Sequence, residues 1–242
     1  DEIEVIEAYN ILNQDQYFFA YRPPYVLEFI YQGIDYVMIN NHFKCCGDGE
    51  LDLNDSSDEE YRRLISNQLL EEYVNDTYPN KRVIILGDLN DSLTDEEEDN
   101  VFWNFLNSDL FLFADYSIAN GTSSNWSFPG WPSHIDHILI SNELFTDFEN
   151  SDILTFKVDN YLLGGLNTYD NYISDHRPVF MRFDFGNNIQ GDINSDGTLD
   201  ILDVIAIVNL VLGDQYNEFA DMNYDGMLNV MDVVIVVNSI LN

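Results

Sequence analysis

The chain has 242 residues, enough for one large domain or for a large domain and a small one. Hydrophobic residues make up 45% of it and aromatic residues 14%, which supports a packed core and excludes an intrinsically disordered chain. Nine basic residues stand against 44 acidic ones, giving a formal net charge of -35 and excluding a broad basic surface for nucleic acid. A phosphate substrate would therefore need metal ions or a local cluster of cations.

The first elements in chain order are a hairpin and a helix. Apolar runs at Tyr25–Ile30 and Asp35–Ile39, separated by Tyr31-Gln32-Gly33, predict two paired strands. Ser57 followed by Glu60 indicates a capping box at the start of a helix. The spacing of four residues along that helix predicts a buried stripe of Tyr61, Ile65, Leu69 and Tyr73.

Three more strands are predicted further along, at Arg82–Leu86, Ile135–Ile140 and Pro178–Phe185. The last of them alternates apolar and polar residues, as a half-buried strand does. An aromatic loop that contains Pro and Gly, Trp126–Pro132, precedes the predicted strand Ile135–Ile140. Residues 1–185 therefore read as one mixed α/β domain, the body of the molecule.

A polar, Asn-rich linker is predicted at residues 186–191, and an internal repeat follows it over residues 192–242. Asp192-Asn194-Asp196-Gly197 recurs as Asp221-Asn223-Asp225-Gly226, an offset of 221 − 192 = 29 residues. Each copy runs into an apolar helix, Ile201–Leu212 and Val230–Leu241. A repeat of this length is typical of a duplicated supersecondary unit.

Each repeat has oxygen-bearing residues at the spacing of a calcium loop, with Gly at the sharp turn. Side chains at loop positions 1, 3, 5 and 12 and the backbone carbonyl at position 7 supply the ligands. In the first loop these are Asp192, Asn194, Asp196, Thr198 and Asp203. In the second they are Asp221, Asn223, Asp225, Met227 and Asp232. The sequence predicts two Ca²⁺ sites.

The paired loops, with Asp rather than Glu at position 12 and short helices after them, resemble a type I dockerin module over residues 190–242. That resemblance implies a small all-α module that docks on a cohesin domain. The residues before the last ligand are Ile201-Leu202 and Val230-Met231, where cellulosomal dockerins often carry small hydroxyl residues. We therefore expect a cohesin-like partner, another cell-surface protein or the chain's own body to cover them.

Four polar segments of the body each adjoin a predicted strand: Asn40-Asn41-His42, Gly87-Asp88-Leu89-Asn90, His134-Ile135-Asp136-His137 and Ser174-Asp175-His176-Arg177. Phosphodiester hydrolysis needs an activated water and stabilisation of charge on phosphorus. His176 is a candidate base and Asp136 its orienting carboxylate. Asp88 and Asn90 are placed to hold a metal or phosphate. Three of the nine basic residues lie in or near these segments as candidate phosphate contacts: Arg22, Lys44 and Arg177.

In this order, together with Tyr21-Arg22-Pro23-Pro24, the segments resemble the endonuclease/exonuclease/phosphatase superfamily over residues 15–185. The resemblance implies a four-layered α/β/β/α sandwich and Mg²⁺- or Mn²⁺-dependent cleavage of phosphoesters. It implies that His176 is the base, that Asp136 orients it, and that His42 binds phosphate or acts as an acid. Asp88 and Asn90 would stabilise the phosphorane and orient the nucleophile, Asp175 would bind metal, and Arg22 would contact phosphate.

The family's first strands carry an Asn and then a Gln-Glu pair, so either an N-terminal segment with these residues lies outside residues 1–242 or the protein has lost this metal site. Three functions remain in competition. The first is a secreted metal-dependent phosphodiesterase, foremost a nuclease acting on DNA or RNA, with a calcium-binding docking module. The second is a phosphatase or phospholipase of the same fold. The third is a catalytically silent, calcium-stabilised extracellular assembly or surface protein.

Overall fold

A computed structural model describes residues 3–31, 33–149, 151–183, 190–194, 198–213 and 215–241. The chain divides into two compact units, Asp1–Phe183 and Asp184–Asn242. The predicted class, a mixed α/β body followed by a small helical unit, is confirmed. Most of the predicted linker lies outside the described residues, and its bounds stay a prediction. In the described part of the chain, no helix has both the length and the apolar character that crossing a bilayer requires.

The elements follow in chain order. The strands are β1 Glu4–Asn10, β2 Tyr25–Tyr31, β3 Ile34–His42, β4 Arg82–Asp88, β5 Phe111–Phe113, β6 Asp136–Ser141, β7 Asp152–Thr155 and β8 Val179–Arg182. The helices are α1 Glu59–Thr77, α2 Trp103–Leu106, α3 Tyr116–Ala119, α4 Phe145–Phe148, α5 Gly165–Tyr172, α6 Ile201–Leu212 and α7 Val230–Leu241.

Six strands form the main sheet of the body, in the order β1-β2-β3-β4-β6-β5, and β7 pairs with β8 in a second sheet. β2 and β3 form the predicted antiparallel hairpin. β3 and β4 are parallel, and α1 makes the crossover between them. The core lies between this helix and the sheet, where Leu70 and Val74 join a cluster that includes Val37, Ile85 and Leu139.

The predicted strands at 82–86, 135–140 and 178–185 correspond to β4, β6 and β8. β8 is shorter than predicted and ends at Arg182. Its half-buried residues, Val179 and Met181, alternate with exposed ones, as the sequence pattern predicts. Residues 184 and 185 lie outside the described part of the chain.

Of the two predictions about α1, the cap is wrong and the buried stripe holds only in part. The residue that caps it is Asp58, whose carboxylate accepts a hydrogen bond of 2.6 Å from the backbone N–H of Tyr61. The predicted stripe is only half-buried, although its Leu69 and Tyr73 pack against the core. The buried positions of the helix include Arg62, Arg63, Ser66, Asn67, Leu70 and Val74. Polar partners explain the difference, because Arg63 pairs there with Glu60 and Asp91 at 2.8 and 2.7 Å.

The second unit consists of α6 and α7, which begin and end at the predicted residues. Its small core contains Val204 and Ile207 of α6, Ala220, and Val236 of α7. Val233 and Val236 of α7 stand at the repeat offset from Val204 and Ile207 of α6, and all four residues belong to this core.

Candidate active site and calcium loops

The sheet register brings three of the predicted site residues into one row. His42 pairs with Asp88 across β3 and β4, and Asp88 pairs with Asp136 across β4 and β6. Gly87 allows the close approach of these strands, since its φ is 136° and a Cβ there would lie 1.9 Å from the carbonyl oxygen of Asn41. Glycine therefore precedes Asp88 for a backbone reason.

His176 completes the row from the segment before β8. Its Nδ1 lies 2.7 Å from Asp136 Oδ2, and its Nε2 lies 4.0 Å from Asp88 Oδ2. On the other side, His42 Nε2 lies 3.3 Å from the same oxygen of Asp88. The two imidazoles thus lie on either side of one carboxylate, and all four side chains are at least partly accessible.

Charge and burial tune these groups. The hydrogen bond to Asp136 raises the pKa of His176 above its ordinary value, with further contributions from the charges of Asp88 and Asp175. Burial lowers the pKa of His42, although Asp88 opposes the shift. Burial, followed by the charge of Asp136, raises the pKa of Asp88. A nearby positive charge would stabilise the ionised form of such a carboxylate.

Asn90 and Arg22 lie beside the row. Asn90 adopts a left-handed backbone conformation with φ of 57°, and its N–H donates to Asp88 Oδ1 at 3.1 Å. Its side-chain amide and the guanidinium of Arg22 both donate to the carbonyl of Phe43, at 3.3 and 2.8 Å. The charge of Arg22 also lowers the pKa of His42, which places it near that imidazole.

The other two candidate phosphate contacts have different partners. Arg177 is buried, and its Nε and NH2 bind the two oxygens of Asp159 at 2.8 and 2.7 Å. The structure therefore gives Arg177 a structural ion pair in place of the predicted phosphate contact. Lys44 lies 3.3 Å from Glu59 and donates to the carbonyl of Cys45. Its Nζ is thus directed towards the start of α1.

Ligand atoms of Asp88, Asp136 and His176 lie within 4.8 Å of one another, so this group fits a divalent cation that keeps part of its water shell. Asp136 already accepts the hydrogen bond from His176, which leaves Asp88 as the main carboxylate ligand. Asp175, the predicted metal ligand, is exposed and follows Ser174, whose hydroxyl binds the N–H of His176. No glutamate belongs to this group among the described residues.

Two features of the site were not predicted. The ring of Phe128 lies 4.8 Å from that of His176, and the aromatic composition of its loop is the only sequence signal for it. Asp115, His134 and His137 form a fully buried network instead of adding to the site. Asp115 Oδ2 lies 3.0 Å from His134 Nε2 and 2.6 Å from His137 Nδ1.

In the C-terminal unit, the residue at position 12 of each loop folds back on the loop. Asp203 accepts from the N–H groups of Ile193 and Asp200 at 2.8 and 2.9 Å. Asp232 accepts from the equivalent residues Met222 and Asn229 at 3.0 and 2.9 Å. The repeat seen in the sequence is therefore a repeat of hydrogen bonding.

The chemistry of the loops fits calcium. The carboxylates of Asp192, Asp203, Asp221 and Asp232 are buried, yet residues 183–242 contain no Lys, Arg or His. Buried carboxylates need a compensating charge, which a bound cation supplies. Of the predicted ligands, Asp196 lies outside the described residues, whereas the second loop is described in full.

Comparison with known proteins supports both parts. Residues 190–241 match the family model described as dockerin type I domain. No curated protein sequence matches the chain. Truncated Caenorhabditis elegans TDP2 matches 75% of this chain and 67% of its own, with 14% identity and a TM-score of 0.51. D. rerio TDP2, solved with a single-strand DNA product, matches 74% and 68%, with 13% identity and a TM-score of 0.52.

A further structure of C. elegans TDP2 has a TM-score of 0.50 at 15% identity, and the match covers 75% of this chain and 51% of that one. The chain thus spans between half and about two thirds of the length of these structures. At such identities the likeness concerns the fold alone. Residues 190–241 therefore match the dockerin type I domain, and the body has the fold seen in these TDP2 structures.

Proposed function

We propose that this protein is a secreted, metal-dependent phosphodiesterase, foremost a nuclease, that a calcium-binding module docks to a partner protein. The observation that carries the proposal is the connected row of His42, Asp88, Asp136 and His176 across three strand ends. Acid–base and electrostatic groups held on rigid strands are what phosphoester hydrolysis requires.

His176 acts as the general base in this proposal. Its Nδ1–H is held by Asp136, so Nε2 is the nitrogen that takes a proton from the attacking water. The raised pKa makes the unprotonated ring a stronger base, while a smaller fraction of the rings is unprotonated at a given pH. The ring of Phe128 limits the rotation of the imidazole.

The other residues bind and orient the phosphate. His42, whose pKa is lowered by burial, donates a hydrogen bond to the phosphate, and Arg22 supplies positive charge beside it. The amide of Asn90 is held by the Phe43 carbonyl and orients the nucleophile or the phosphate. A Mg²⁺ or Mn²⁺ ion bound by Asp88, with Asp175 nearby, would stabilise negative charge on the phosphate oxygens.

The aromatic loop favours a nucleic acid strand as substrate. Trp131 is 79% exposed and lies in the same loop as Phe128, which contacts the base His176. Trp126 donates to the carbonyl of Ile118 and is a packing residue. Exposed aromatic rings stack on unpaired bases, so we favour single-stranded DNA or RNA over a lipid phosphoester.

The docking face is apolar in this proposal. Four exposed residues of α6 have exposed equivalents in α7 at the repeat offset: Ile201 and Val230, Leu202 and Met231, Ile205 and Val234, Leu212 and Leu241. We propose that a cohesin-like or other surface protein covers these residues with an apolar surface. The extracellular space provides the calcium that the loops need.

A substrate panel tests the catalytic proposal. The full-length protein with Mg²⁺ or Mn²⁺ is incubated with single-stranded DNA, duplex DNA, RNA, a phosphomonoester and a phospholipid. We expect cleavage of the nucleic acids, fastest on single strands, and its loss in His176→Ala. No hydrolysis of any of these substrates would instead support the catalytically silent protein.

A further inference from the structure

A second group of carboxylates lies at the start of α1, outside the candidate active site. One ligand oxygen each of Asp48, Asp58 and Glu60 lies within 4.8 Å of the other two. Asp48 belongs to the exposed loop after β3, Asp58 caps α1, and Glu60 is in the first turn of that helix. Three carboxylates at such distances repel one another unless a cation lies between them.

Glu60 supplies the observation that points to a ligand. The residue is 2% exposed, and its Oε1 accepts from the Gly49 N–H at 2.9 Å and from Arg63 at 2.8 Å. Its Oε2 is buried and has no hydrogen-bond partner among the described residues. A buried oxygen without a partner costs about 1–3 kcal/mol, and more when it is charged.

The loop is shaped around this carboxylate. A Cβ at Gly47 would lie 2.2 Å from Glu60 Oε1 and 2.5 Å from Oε2, and the φ of Gly47 is 110°. Only glycine allows the backbone to close over the carboxylate in this way. The Gly49 N–H then binds it from the same loop.

Arg63 does not balance the charge of the group. Its guanidinium pairs with Asp91 at 2.7 Å as well as with Glu60, so one positive charge is shared between two buried carboxylates. The nearby Lys44 lies 3.3 Å from a different carboxylate, that of Glu59. Asp48 and Asp58 bring two further negative charges to the group.

We propose that Asp48, Asp58 and Glu60 bind one Ca²⁺ ion, a calcium site in the body separate from the two dockerin loops. Calcium accepts carboxylate, carbonyl and water oxygens in a flexible shell of about 6–8 ligands, which suits one loop and one helix start. The ion gives Glu60 Oε2 the partner that it lacks. Exposed Asp48 leaves one side open to water ligands.

The site is connected to the candidate active site through Arg63. This residue also donates to the carbonyls of Lys44 and Cys46, both at 2.8 Å, in the segment that follows His42. Its other partner, Asp91, follows Asn90 directly. A calcium ion on Glu60 would therefore stabilise the two segments that carry His42 and Asn90.

Counting calcium tests the site. The parent is the full chain with Asp203→Asn and Asp232→Asn, which remove the last ligand of each dockerin loop. Parent and variants are dialysed against CaCl₂, and bound calcium per chain is measured by atomic emission. We expect Asp48→Asn to bind one ion fewer than the parent. Asp48 is exposed, so this change leaves the core intact.

The matched control is Asp52→Asn, which removes the same charge from the same loop but outside the group. It should bind as many ions as the parent. Glu60→Gln, with its fold checked by circular dichroism, should also lose one ion. Equal calcium counts in the parent and Asp48→Asn would overturn the proposal, and would show that Glu60 is protonated or simply strained. Asp48→Asn and Asp52→Asn both leave the residues of the catalytic group in place, so the difference between these two variants reports on the proposed site.

Discussion

At the scale of single residues, the partners of each side chain determine whether it belongs to the candidate active site. The sequence predicts that His42, Asp88 and Asp136 come together, because each lies at the end of a strand. It does not predict that Arg177 is buried, since its partner Asp159 lies 18 residues away in a segment without a recognisable pattern. Local motifs locate residues at strand ends, whereas ion pairs between distant segments need the fold.

Arg22 is the basic residue that the structure keeps beside the row, and we predict that Arg22→Gln raises KM more than it lowers kcat. A charge-assisted contact is worth about 1.5–3 kcal/mol, so KM for a phosphodiester should rise about 10- to 100-fold. Arg182→Gln, which changes an exposed pair with Asp152, is the control and should leave KM unchanged. An unchanged KM in Arg22→Gln would remove this residue from substrate binding.

His137 has acceptors at both ring nitrogens: Asp115 at Nδ1, and the Asp91 carbonyl at Nε2 at 2.9 Å. Two acceptors favour the protonated ring, and the charge of Asp115 raises the pKa of His137 against the effect of burial. A raised folded pKa stabilises the protein fully below the ordinary value of 6.5 and progressively less as pH rises through the folded pKa.

We predict that the free energy of unfolding of the body falls more steeply above about pH 6.5 in the wild type than in His137→Gln. Urea unfolding of both proteins between about pH 6 and pH 9 measures this. The stability difference between them should shrink as pH rises. A difference that is constant over this range would mean that His137 is neutral in the folded protein.

At the scale of elements, strand positions follow from sequence more easily than helix faces. The apolar runs of β2, β3, β4 and β6 are long enough to locate them. In α1 the buried positions include Arg62, Arg63 and Asn67 as well as Leu70 and Val74, so hydrophobic periodicity alone does not locate the buried face. Arg63 binds the segments that follow β3 and β4, and these contacts place its face of the helix towards the interior.

This element gives a stability prediction. Arg63→Met leaves Glu60 and Asp91 buried without their partner, and should lower the free energy of unfolding by about 3–5 kcal/mol. Arg182→Met breaks an exposed pair and should cost less than about 1 kcal/mol. Chemical denaturation compares the two variants. Equal costs would show that the buried pairs do not hold α1 in place.

At the scale of the whole molecule, the net charge of -35 opposes the binding of a polyanion. Added salt screens that repulsion, so we predict that KM for single-stranded DNA decreases between about 10 and 150 mM NaCl. For bis(4-nitrophenyl) phosphate, which carries a single charge, KM should change much less. A KM for DNA that increases with salt, as for basic nucleic-acid-binding proteins, would mean that a local cationic surface dominates.

The two units of the chain differ in how easily their proposed calcium sites can be predicted from the sequence. The dockerin loops are readable from sequence because all their ligands lie within twelve residues. The proposed calcium group at Asp48, Asp58 and Glu60 lacks that spacing and depends on a loop folding back on a helix. Sequence patterns therefore reveal local metal loops and miss those that tertiary structure assembles.

We propose that Asp136 and His176 act as one unit in phosphodiester hydrolysis, and a double-mutant cycle measures the coupling between them. With Mn²⁺ and single-stranded DNA, His176→Ala should lower kcat/KM by about 10³-fold and Asp136→Asn by about 10²-fold. The double variant should be no slower than His176→Ala alone, because Asp136 acts through the imidazole. Asp152→Asn, on β7, should match the wild type. If the two losses multiply in the double variant, or if either single variant keeps full activity, then the two residues do not act as one catalytic unit.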